Sequence, residues 1–257
     1  MTRSVLVTGA SSGIGRACAL RLSRAGWQVY AGVRSAGDAP PGTEEMLLDV
    51  TEPVPLAIDR LDGLVNNAGV AVAGPLEFLP TDELQHQLEV NVVGQLRVVQ
   101  TVLPALRASR GRIVNIGSIS GRSALPFLGA YAMSKFALEA MSDALRVELR
   151  PWGIPVAIVQ PGTIRTAMWT RERPDPSPEA LALYGNRLAA FRRFALKRSA
   201  HGAPPEAVAA VVESALTAER PRVRYLVGRD ARLRAGIERL PDRLRDRIYN
   251  RVLLGGT

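Results

Sequence analysis

Short apolar runs alternate with longer amphipathic stretches along most of the chain. Runs of about four to eight apolar residues, bounded by glycine, proline or polar residues, are typical of buried strands. They predict seven strands, at residues 4–8, 27–33, 46–50, 62–69 with its turn, 112–117, 154–160 and 225–227. Apolar residues that recur every three or four positions predict helices up to about residue 25 and at 81–109, 130–150, 205–218 and 230–254, with room for a short one at 53–60.

Strands that alternate with helices along the whole chain predict an α/β fold, in which helices cover both faces of a parallel sheet. No internal repeat or linker divides the sequence, so we expect one doubly wound, Rossmann-type domain over residues 1–257. Residues 167–203 change in character just after the sixth strand, at the edge where open α/β sheets bind ligands. We therefore expect them to form a lid over a substrate. The chain closes with an arginine-rich amphipathic helix at 230–254.

Three glycines follow the first strand at the spacing G-x-x-x-G-x-G, namely Gly9, Gly13 and Gly15. A glycine turn between a strand and a helix lets backbone N–H groups approach a pyrophosphate, because no Cβ stands in the way. These glycines could also form only a flexible turn. Their place between a strand and a helix favours the phosphate site.

The end of the second strand indicates which dinucleotide the chain would take. In such folds this strand end faces the adenosine ribose, where an acidic residue binds a 2′-hydroxyl and a basic residue accommodates a 2′-phosphate. Val33 and Arg34 occupy the place, and no carboxylate follows before Asp38. The sequence therefore favours NADP(H) over NAD(H), although Arg34 could also be a solvated residue in an arginine-rich chain.

Tyr131 and Lys135 lie four residues apart on the predicted helix 130–150, so they share one face. A neighbouring cation lowers the pKa of a phenol from its ordinary value of about 10, which makes the pair a candidate general acid and base. Ser118 ends the fifth strand and could hydrogen-bond the same substrate oxygen. The alternative is a packed tyrosine beside a solvated lysine. The chain has 31 arginines and only two lysines, and the use of lysine at 135 favours the functional interpretation.

The composition excludes several classes of protein. The net charge is +9, but the arginines are spread along the chain and aromatics make up only 5%, so we expect no nucleic-acid binding. His86 and His201 are far apart and lack other ligands, so no metal site is predicted. The single cysteine, Cys18, excludes an intramolecular disulfide and is expected in the core. The chain starts directly with a strand and contains no apolar run of about 18 residues, so we expect a cytoplasmic protein.

The motifs, in their order along the chain, resemble those of the short-chain dehydrogenase/reductase family. They are ThrGlyAlaSerSerGlyIleGly at 8–15, AsnAsnAlaGly at 66–69, Asn91, Ser118, Tyr131 with Lys135, and ProGlyThr at 161–163. The middle of the chain is most similar to the branch that acts on hydroxysteroids, retinoids and similar apolar compounds. The resemblance implies an NADP(H)-dependent oxidoreductase that interconverts a ketone and a secondary alcohol, or an aldehyde and a primary alcohol, on a small apolar molecule.

The resemblance also implies a role for each matching residue. Tyr131 would be the acid/base, Lys135 would lower its pKa and hold the nicotinamide ribose, and Ser118 would orient the substrate. Asn91 would hold a water in a proton relay to Lys135. The residues implied in cofactor binding are Gly9, Ser11, Ser12, Gly13, Ile14 and Gly15 around the pyrophosphate, Arg34 at the 2′-phosphate, Asp49 and Val50 at adenine, Asn67, Ala68 and Gly69 at the adjacent ribose, Tyr131 and Lys135, and Pro161, Gly162, Thr163 and Thr166 at the carboxamide.

Three further expectations concern partners and an alternative function. Helices 81–109 and 130–150 carry more apolar residues than one core-facing stripe needs, and relatives commonly pair them, so we expect a homodimer or homotetramer. The helix at 230–254 could contact an anionic membrane, but Pro241 interrupts it, and packing on the lid or on a subunit is favoured. The alternative function is an NADP(H)-binding sensor or scaffold without turnover. The presence of all four catalytic residues argues against that alternative.

Overall fold

The computed structural model describes residues 2–53, 58–169 and 176–254. Its strands are β1 (Ser4–Thr8), β2 (Gln28–Val33), β3 (Glu44–Leu47), β4 (Gly63–Asn66), β5 (Arg112–Ile116), β6 (Val156–Pro161) and β7 (Arg224–Val227). All pair in parallel in one sheet of order β3-β2-β1-β4-β5-β6-β7, which confirms the predicted seven-stranded, doubly wound sheet. The strand order reverses between β1 and β4, so the loops after these two strands flank a crevice at the carboxyl edge.

The helices that alternate with these strands are α1 (Gly13–Arg24), α2 (Thr81–Leu88), α3 (Gly94–Ser109), α4 (Gly129–Glu148), α5 (Pro178–Ala200), α6 (Pro205–Thr217), α7 (Arg229–Ile237) and α8 (Asp242–Leu254). None of the helices in the described part of the chain is long and apolar enough to cross a membrane.

Two apolar layers hold the helices on the sheet, because successive residues of a strand point to opposite faces. In β1, Val5 and Val7 pack in the layer that contains residues of α1 and α6, whereas Leu6 packs in the layer that contains residues of α3 and α4. Cys18 is fully buried in the first layer, as predicted, and burial raises the pKa of its thiol to about 12. The carboxyl ends of the strands are thereby held in a fixed frame beneath the crevice.

Three predicted elements differ from the structure. The third strand lies at Glu44–Leu47 rather than at 46–50, because its extent is set by pairing with β2 from Tyr30 to Val33. The predicted helix 81–109 contains a π-helical turn, Glu89–Val93, between α2 and α3. The predicted helix 230–254 is two helices, since Pro241 lacks an N–H and begins a new helix at Asp242. Most of the short helix expected at 53–60 lies outside the described residues.

Candidate active site

The glycine turn between β1 and α1 forms a cradle that only glycine can build. Gly9 and Gly13 have φ angles of 64° and 55°, in the left-handed region that favours glycine. A Cβ on Gly15 would lie 2.2 Å from the carbonyl oxygen of Gly9. The backbone of the turn therefore passes closer to the start of α1 than a side chain on Gly15 would allow.

The turn after β4 is bound directly to this cradle. The hydroxyl of Thr8 accepts hydrogen bonds from the backbone N–H groups of Asn67 and Ala68, both at 2.9 Å. The side-chain amide of Asn67 donates to the carbonyl oxygens of Thr8 and Gly9 at 2.9 and 3.2 Å. These bonds join the two loops that flank the reversal of strand order into one rigid floor.

A cavity of about 420 Å³ extends over this floor and reaches both the glycine cradle and the predicted acid/base pair. Most of the residues that the sequence implied line it: Gly9, Ser11, Ser12, Gly13, Ile14, Arg34, Asp49, Val50, Asn67, Ala68, Gly69, Ser118, Tyr131, Lys135, Pro161, Gly162 and Thr166. Gly15, Asn91 and Thr163 do not. The sequence did not predict Val70, Ala71, His86 or Ile164, which also line the cavity. Val70, Ala71 and Ile164 continue motifs that were recognised, whereas His86 carries no local signal.

Tyr131 and Lys135 are both buried at the inner end of the cavity, at 6% and 4% exposure. The Lys135 ammonium donates to the carbonyl oxygen of Ile116 at 3.0 Å and lies 5.8 Å from the centre of the Tyr131 ring. Burial lowers the pKa of Lys135 to about 8, against a smaller opposite influence of Glu139. This amine therefore loses its charge closer to neutral pH than an ordinary lysine.

The pKa of Tyr131 is not lowered overall, contrary to the sequence-based expectation. Burial raises the pKa of this phenol, and a hydrogen bond with Ser118 and the charge of Arg234 oppose that rise. Arg234, a cation that lowers the pKa of this phenol, comes from helix α7, more than 100 residues away in sequence.

Ser118 lies two residues after the end of β5, where the chain enters a short 3₁₀ turn, Ile119–Gly121. Its hydroxyl accepts a hydrogen bond from the backbone N–H of Ser120 at 3.0 Å, which caps that turn. Because Ser118 also bonds to Tyr131, the two hydroxyls sit side by side in the cavity. They could both reach one substrate oxygen.

Asn91 lies in the π-helical turn and is fully buried. Its amide donates to the carbonyl oxygen of Val70 at 2.9 Å and to the hydroxyl of Ser134 at 3.0 Å, and its oxygen accepts from the N–H of Val70 at 2.8 Å. Both amide hydrogens are thus used to join the loop after β4 to the helix that carries Tyr131. The resemblance implies that Asn91 holds a water of a proton relay, but its side chain has no free amide hydrogen to donate to such a water.

Thr163 does not line the cavity, although the resemblance implied it in cofactor binding. Its N–H and its hydroxyl both donate to the carboxylate of Asp230, at 2.7 and 2.8 Å, and its carbonyl oxygen accepts from the N–H of Ala203 at 3.0 Å. The neighbouring residues Ile164 and Thr166 line the cavity instead. Thr163 therefore anchors the loop from behind.

Arg34 and Asp49 lie at the opposite end of the cavity from Tyr131. Arg34 is exposed at the end of β2. The carboxylate of Asp49 accepts from the N–H and the hydroxyl of Thr51 at 2.9 and 2.7 Å, and the backbone hydrogen bond is the largest cause of its lowered pKa. An exposed guanidinium is thus available at this end, while the carboxylate is already engaged.

An apolar wall forms around the loop that joins Ser118 to α4. Leu125, Leu128, Tyr249 and Leu253 form a buried cluster, and Phe191 and Phe194 of α5 pack against it. Phe127 contacts the rings of Phe191 and Tyr184 edge-on, at 5.6 and 6.1 Å between centroids. It does so with a φ of 62°, a strained conformation for a bulky residue that surrounding contacts must hold. Residues 170–175 of the predicted lid lie outside the described residues.

Known oxidoreductases are similar to this chain over most of its length. Residues 41–177 match the family described as short chain dehydrogenase. The chain is 35% identical to the NADPH-dependent 3-dehydrocapnine reductase of Ornithobacterium rhinotracheale, over 98% of this chain and 97% of that protein. It is 38% identical to retinol dehydrogenase 5 of Mus musculus, over 89% of this chain and 81% of that protein.

Solved structures agree with these matches. The crystal structure of a short chain dehydrogenase from Burkholderia cenocepacia J2315 in complex with NADP superimposes with a TM-score of 0.77. That protein is 27% identical, and the alignment covers 98% of both chains. The similarity therefore extends over the sheet and over the C-terminal elements beyond the family match.

Proposed function

The chain belongs to the short-chain dehydrogenase family and is an oxidoreductase that acts on CH–OH groups, and from that premise we propose its reaction, its cofactor and its substrate class. The reaction is the NADP(H)-dependent interconversion of a ketone and a secondary alcohol, or of an aldehyde and a primary alcohol, on an apolar small molecule. One observation carries the proposal. Ser118, Tyr131 and Lys135 line the same cavity as the glycine cradle.

The residues present fit a dinucleotide. The cradle leaves room for phosphates where any side chain at Gly15 would collide with the backbone. Lys135 and Tyr131 lie at one end of the cavity and the exposed Arg34 at the other. We assign Gly9 to Ile14 to the pyrophosphate, Asn67 to Gly69 to the adjacent ribose, and Ile164 with Thr166 to the carboxamide.

In the direction of reduction, a bound NADPH would supply the hydride that the carbonyl carbon accepts. The Tyr131 hydroxyl donates its proton to the carbonyl oxygen as that oxygen gains charge, and the Ser118 hydroxyl donates a hydrogen bond that orients it. Burial raises the pKa of Tyr131 and keeps the phenol protonated at neutral pH, which is the state that reduction requires. Lys135, held by Ile116, would bind the nicotinamide ribose.

The preference for NADP(H) rests on Arg34. Arg34 is the exposed cation at the end of β2, and it can pair with a 2′-phosphate. Among the described residues that line the cavity, Asp49 is the single carboxylate, and it is occupied by Thr51. The relative from Ornithobacterium rhinotracheale is NADPH-dependent by name, which supports the same choice.

The apolar substrate follows from the apolar wall around the loop that joins Ser118 to α4. Phe127, Phe191 and Phe194 give this wall three aromatic rings, and the guanidinium of Arg198 lies over the Phe194 ring at 5.4 Å from its centre. We propose that residues 167–203 act as the lid over this side of a single-domain enzyme. A molecule with an apolar body and one carbonyl or hydroxyl group matches such surroundings.

Screening with cofactor and substrates tests the proposal. The protein is incubated with NADPH and a panel of medium-chain, steroidal and retinoid ketones and aldehydes, and the loss of NADPH absorbance is followed. We expect oxidation of NADPH with at least one apolar carbonyl, and reduction of NADP⁺ with the matching alcohol. Tight binding of NADPH without turnover across the panel would support the alternative, a sensor or scaffold of the same fold.

We also propose a homodimer or homotetramer. Val93, Met133, Phe136 and Val147 lie on the long helices that the sequence indicated and are 42–65% exposed. Their apolar surface would be covered by a second copy. Sedimentation at micromolar concentration should give twice or four times the mass of one chain, and a purely monomeric profile would reject this assembly.

A further inference from the structure

Helix α7 places one acidic and one basic side chain on the same face. Asp230 and Arg234 are four residues apart, so they lie one above the other along this helix. Ala231, between them, is fully buried, so the helix is seated firmly on the domain. The two charged groups reach two different loops of the active site.

Asp230 binds the loop that follows β6. Its carboxylate accepts hydrogen bonds from both the N–H and the hydroxyl of Thr163. It also pairs at 3.1 Å with Arg198 of α5, the helix of the proposed lid, which we call the lid helix. A Cβ on Gly162 would lie 2.2 Å from the same carboxylate, so glycine there allows the close approach. Loop, lid helix and α7 thus meet at one side chain.

Arg234 binds the loop that carries Ser118. Its guanidinium donates to the carbonyl oxygen of Ser123 at 2.6 Å and to the hydroxyls of Ser123 and Ser120 at 3.3 and 3.4 Å. The N–H of Ser120 in turn donates to the hydroxyl of Ser118. Among the described residues no carboxylate lies within 4.0 Å of this guanidinium, so its charge is not neutralised by a direct ion pair.

Resting on the proposed function, we propose that α7 is a two-point positioning element of the active site, in which Asp230 fixes the loop that holds the nicotinamide end of the cofactor and Arg234 fixes the loop that holds Ser118 beside Tyr131. Neither residue contacts the reacting atoms. The two roles are separable, because each side chain reaches a different loop.

Cofactor titration tests the Asp230 role without any substrate. Asp230→Asn keeps the size of the side chain but loses its charge, and the Kd for NADPH, measured by the change in its fluorescence, should rise about five- to twentyfold. Arg232→Met is the matched control, since Arg232 lies exposed on the same helix and should leave the Kd within about twofold. An unchanged Kd in Asp230→Asn would overturn this role. Failure of the wild type to bind NADPH would instead contradict the proposed function.

Ultraviolet titration of tyrosinate tests the Arg234 role, with Tyr131→Phe as the blank that isolates Tyr131. The charged or titratable groups around the phenol are Lys135 on its own helix and Arg234 on α7, and those around Arg234 are Asp230, Glu238 and Tyr249. Loss of the cation in Arg234→Met should raise the pKa of Tyr131 by about 0.5–1 unit while the Kd for NADPH stays unchanged. Arg234→Lys should restore the lower pKa, and Arg232→Met should not move it.

The two readouts separate positioning from a merely structural role. If Asp230→Asn and Arg234→Met both weaken NADPH binding equally and lower the melting temperature together, then α7 only stabilises the fold and the proposal is wrong. If Arg234→Met leaves the pKa of Tyr131 unchanged, its half of the proposal is overturned. Each variant thus has one property that should change and one that should not.

Discussion

The two halves of the proposed active site, called here the cofactor half and the substrate half after the ligands we propose for them, are built in different ways. The cofactor half consists of strand ends and two short turns, joined by bonds such as those of Thr8 to Asn67 and Ala68. The substrate half consists of helices α5, α7 and α8 packed over the loop after Ser118. Backbone geometry therefore shapes the first half, and contacts between distant side chains shape the second.

This difference explains which parts of the site could be read from the sequence. A backbone that must approach a phosphate requires glycine at set intervals, so Gly9, Gly13 and Gly15 leave a local pattern. Arg234 has no such pattern. It is one of many arginines in an amphipathic segment, and only the tertiary fold brings it to Ser120 and Ser123.

The elements of the fold show the same difference between features with a local sequence pattern and features that depend on tertiary contacts. Apolar runs predicted all seven strands, because most of them are contiguous buried segments; the edge strand β3, which is mostly exposed, is the one whose position was predicted wrongly. The π-helical turn at Glu89–Val93 escaped prediction, since the apolar periodicity continues through it. Thr163 was placed in the cavity from its motif alone, whereas its orientation depends on Asp230 in another element.

The cofactor half should be the most sensitive to a single added methyl group. Gly15→Ala places a Cβ 2.2 Å from the carbonyl oxygen of Gly9, so the cradle must open. We expect the Kd for NADPH to rise by roughly 100-fold or more, equivalent to about 3 kcal/mol. Gly185→Ala, where nothing lies within 4 Å of the added Cβ, should bind NADPH normally. Wild-type affinity in Gly15→Ala would break the assignment of the cradle.

The pH dependence of kcat/KM for NADPH tests the role of Lys135 in binding the cofactor. Its pKa of about 8 lies below that of Tyr131, which burial raises, so Lys135 titrates first. The value of kcat/KM for NADPH should be constant below about pH 8 and fall by up to about tenfold per unit above it. The pKa of Lys135 is about 8 in the folded protein and 10.5 in the absence of the fold, so between these pH values the unfolded chain binds more protons than the folded one. The contribution of Lys135 to the free energy of unfolding therefore becomes more favourable to the folded state as the pH rises through this window. A profile that stays flat to pH 10 would contradict the role of Lys135.

The variant Arg34→Ala tests whether the residue at the adenosine end of the cavity sets the preference for NADPH over NADH. Removal of its charge in Arg34→Ala should lower the ratio of kcat/KM for NADPH to that for NADH by about tenfold, equivalent to about 1.4 kcal/mol. Arg24→Ala, an exposed arginine at the end of α1, is the control and should not change the ratio. Equal values of kcat/KM for NADPH and NADH in the wild type would contradict the proposed preference for NADP(H).

The substrate half should respond more mildly, and only toward the substrate. Phe191→Ala removes one ring from the apolar wall, and we expect KM for an apolar carbonyl to rise about three- to tenfold. The Kd for NADPH should not change. Leu183→Ala on the same helix removes a side chain of a residue that is 66% exposed and should change neither value. A rise in the Kd for NADPH in Phe191→Ala would show that the two halves are not separate.

Tyr131→Phe probes the proposed acid/base itself, because it removes only the phenolic hydroxyl at the point where the two halves meet. NADPH binding and turnover are measured on the same preparation. We expect a Kd for NADPH within about threefold of wild type, and a loss of kcat of about 10²–10⁴-fold, as for a positioned acid/base. Near-full kcat in Tyr131→Phe would contradict that role.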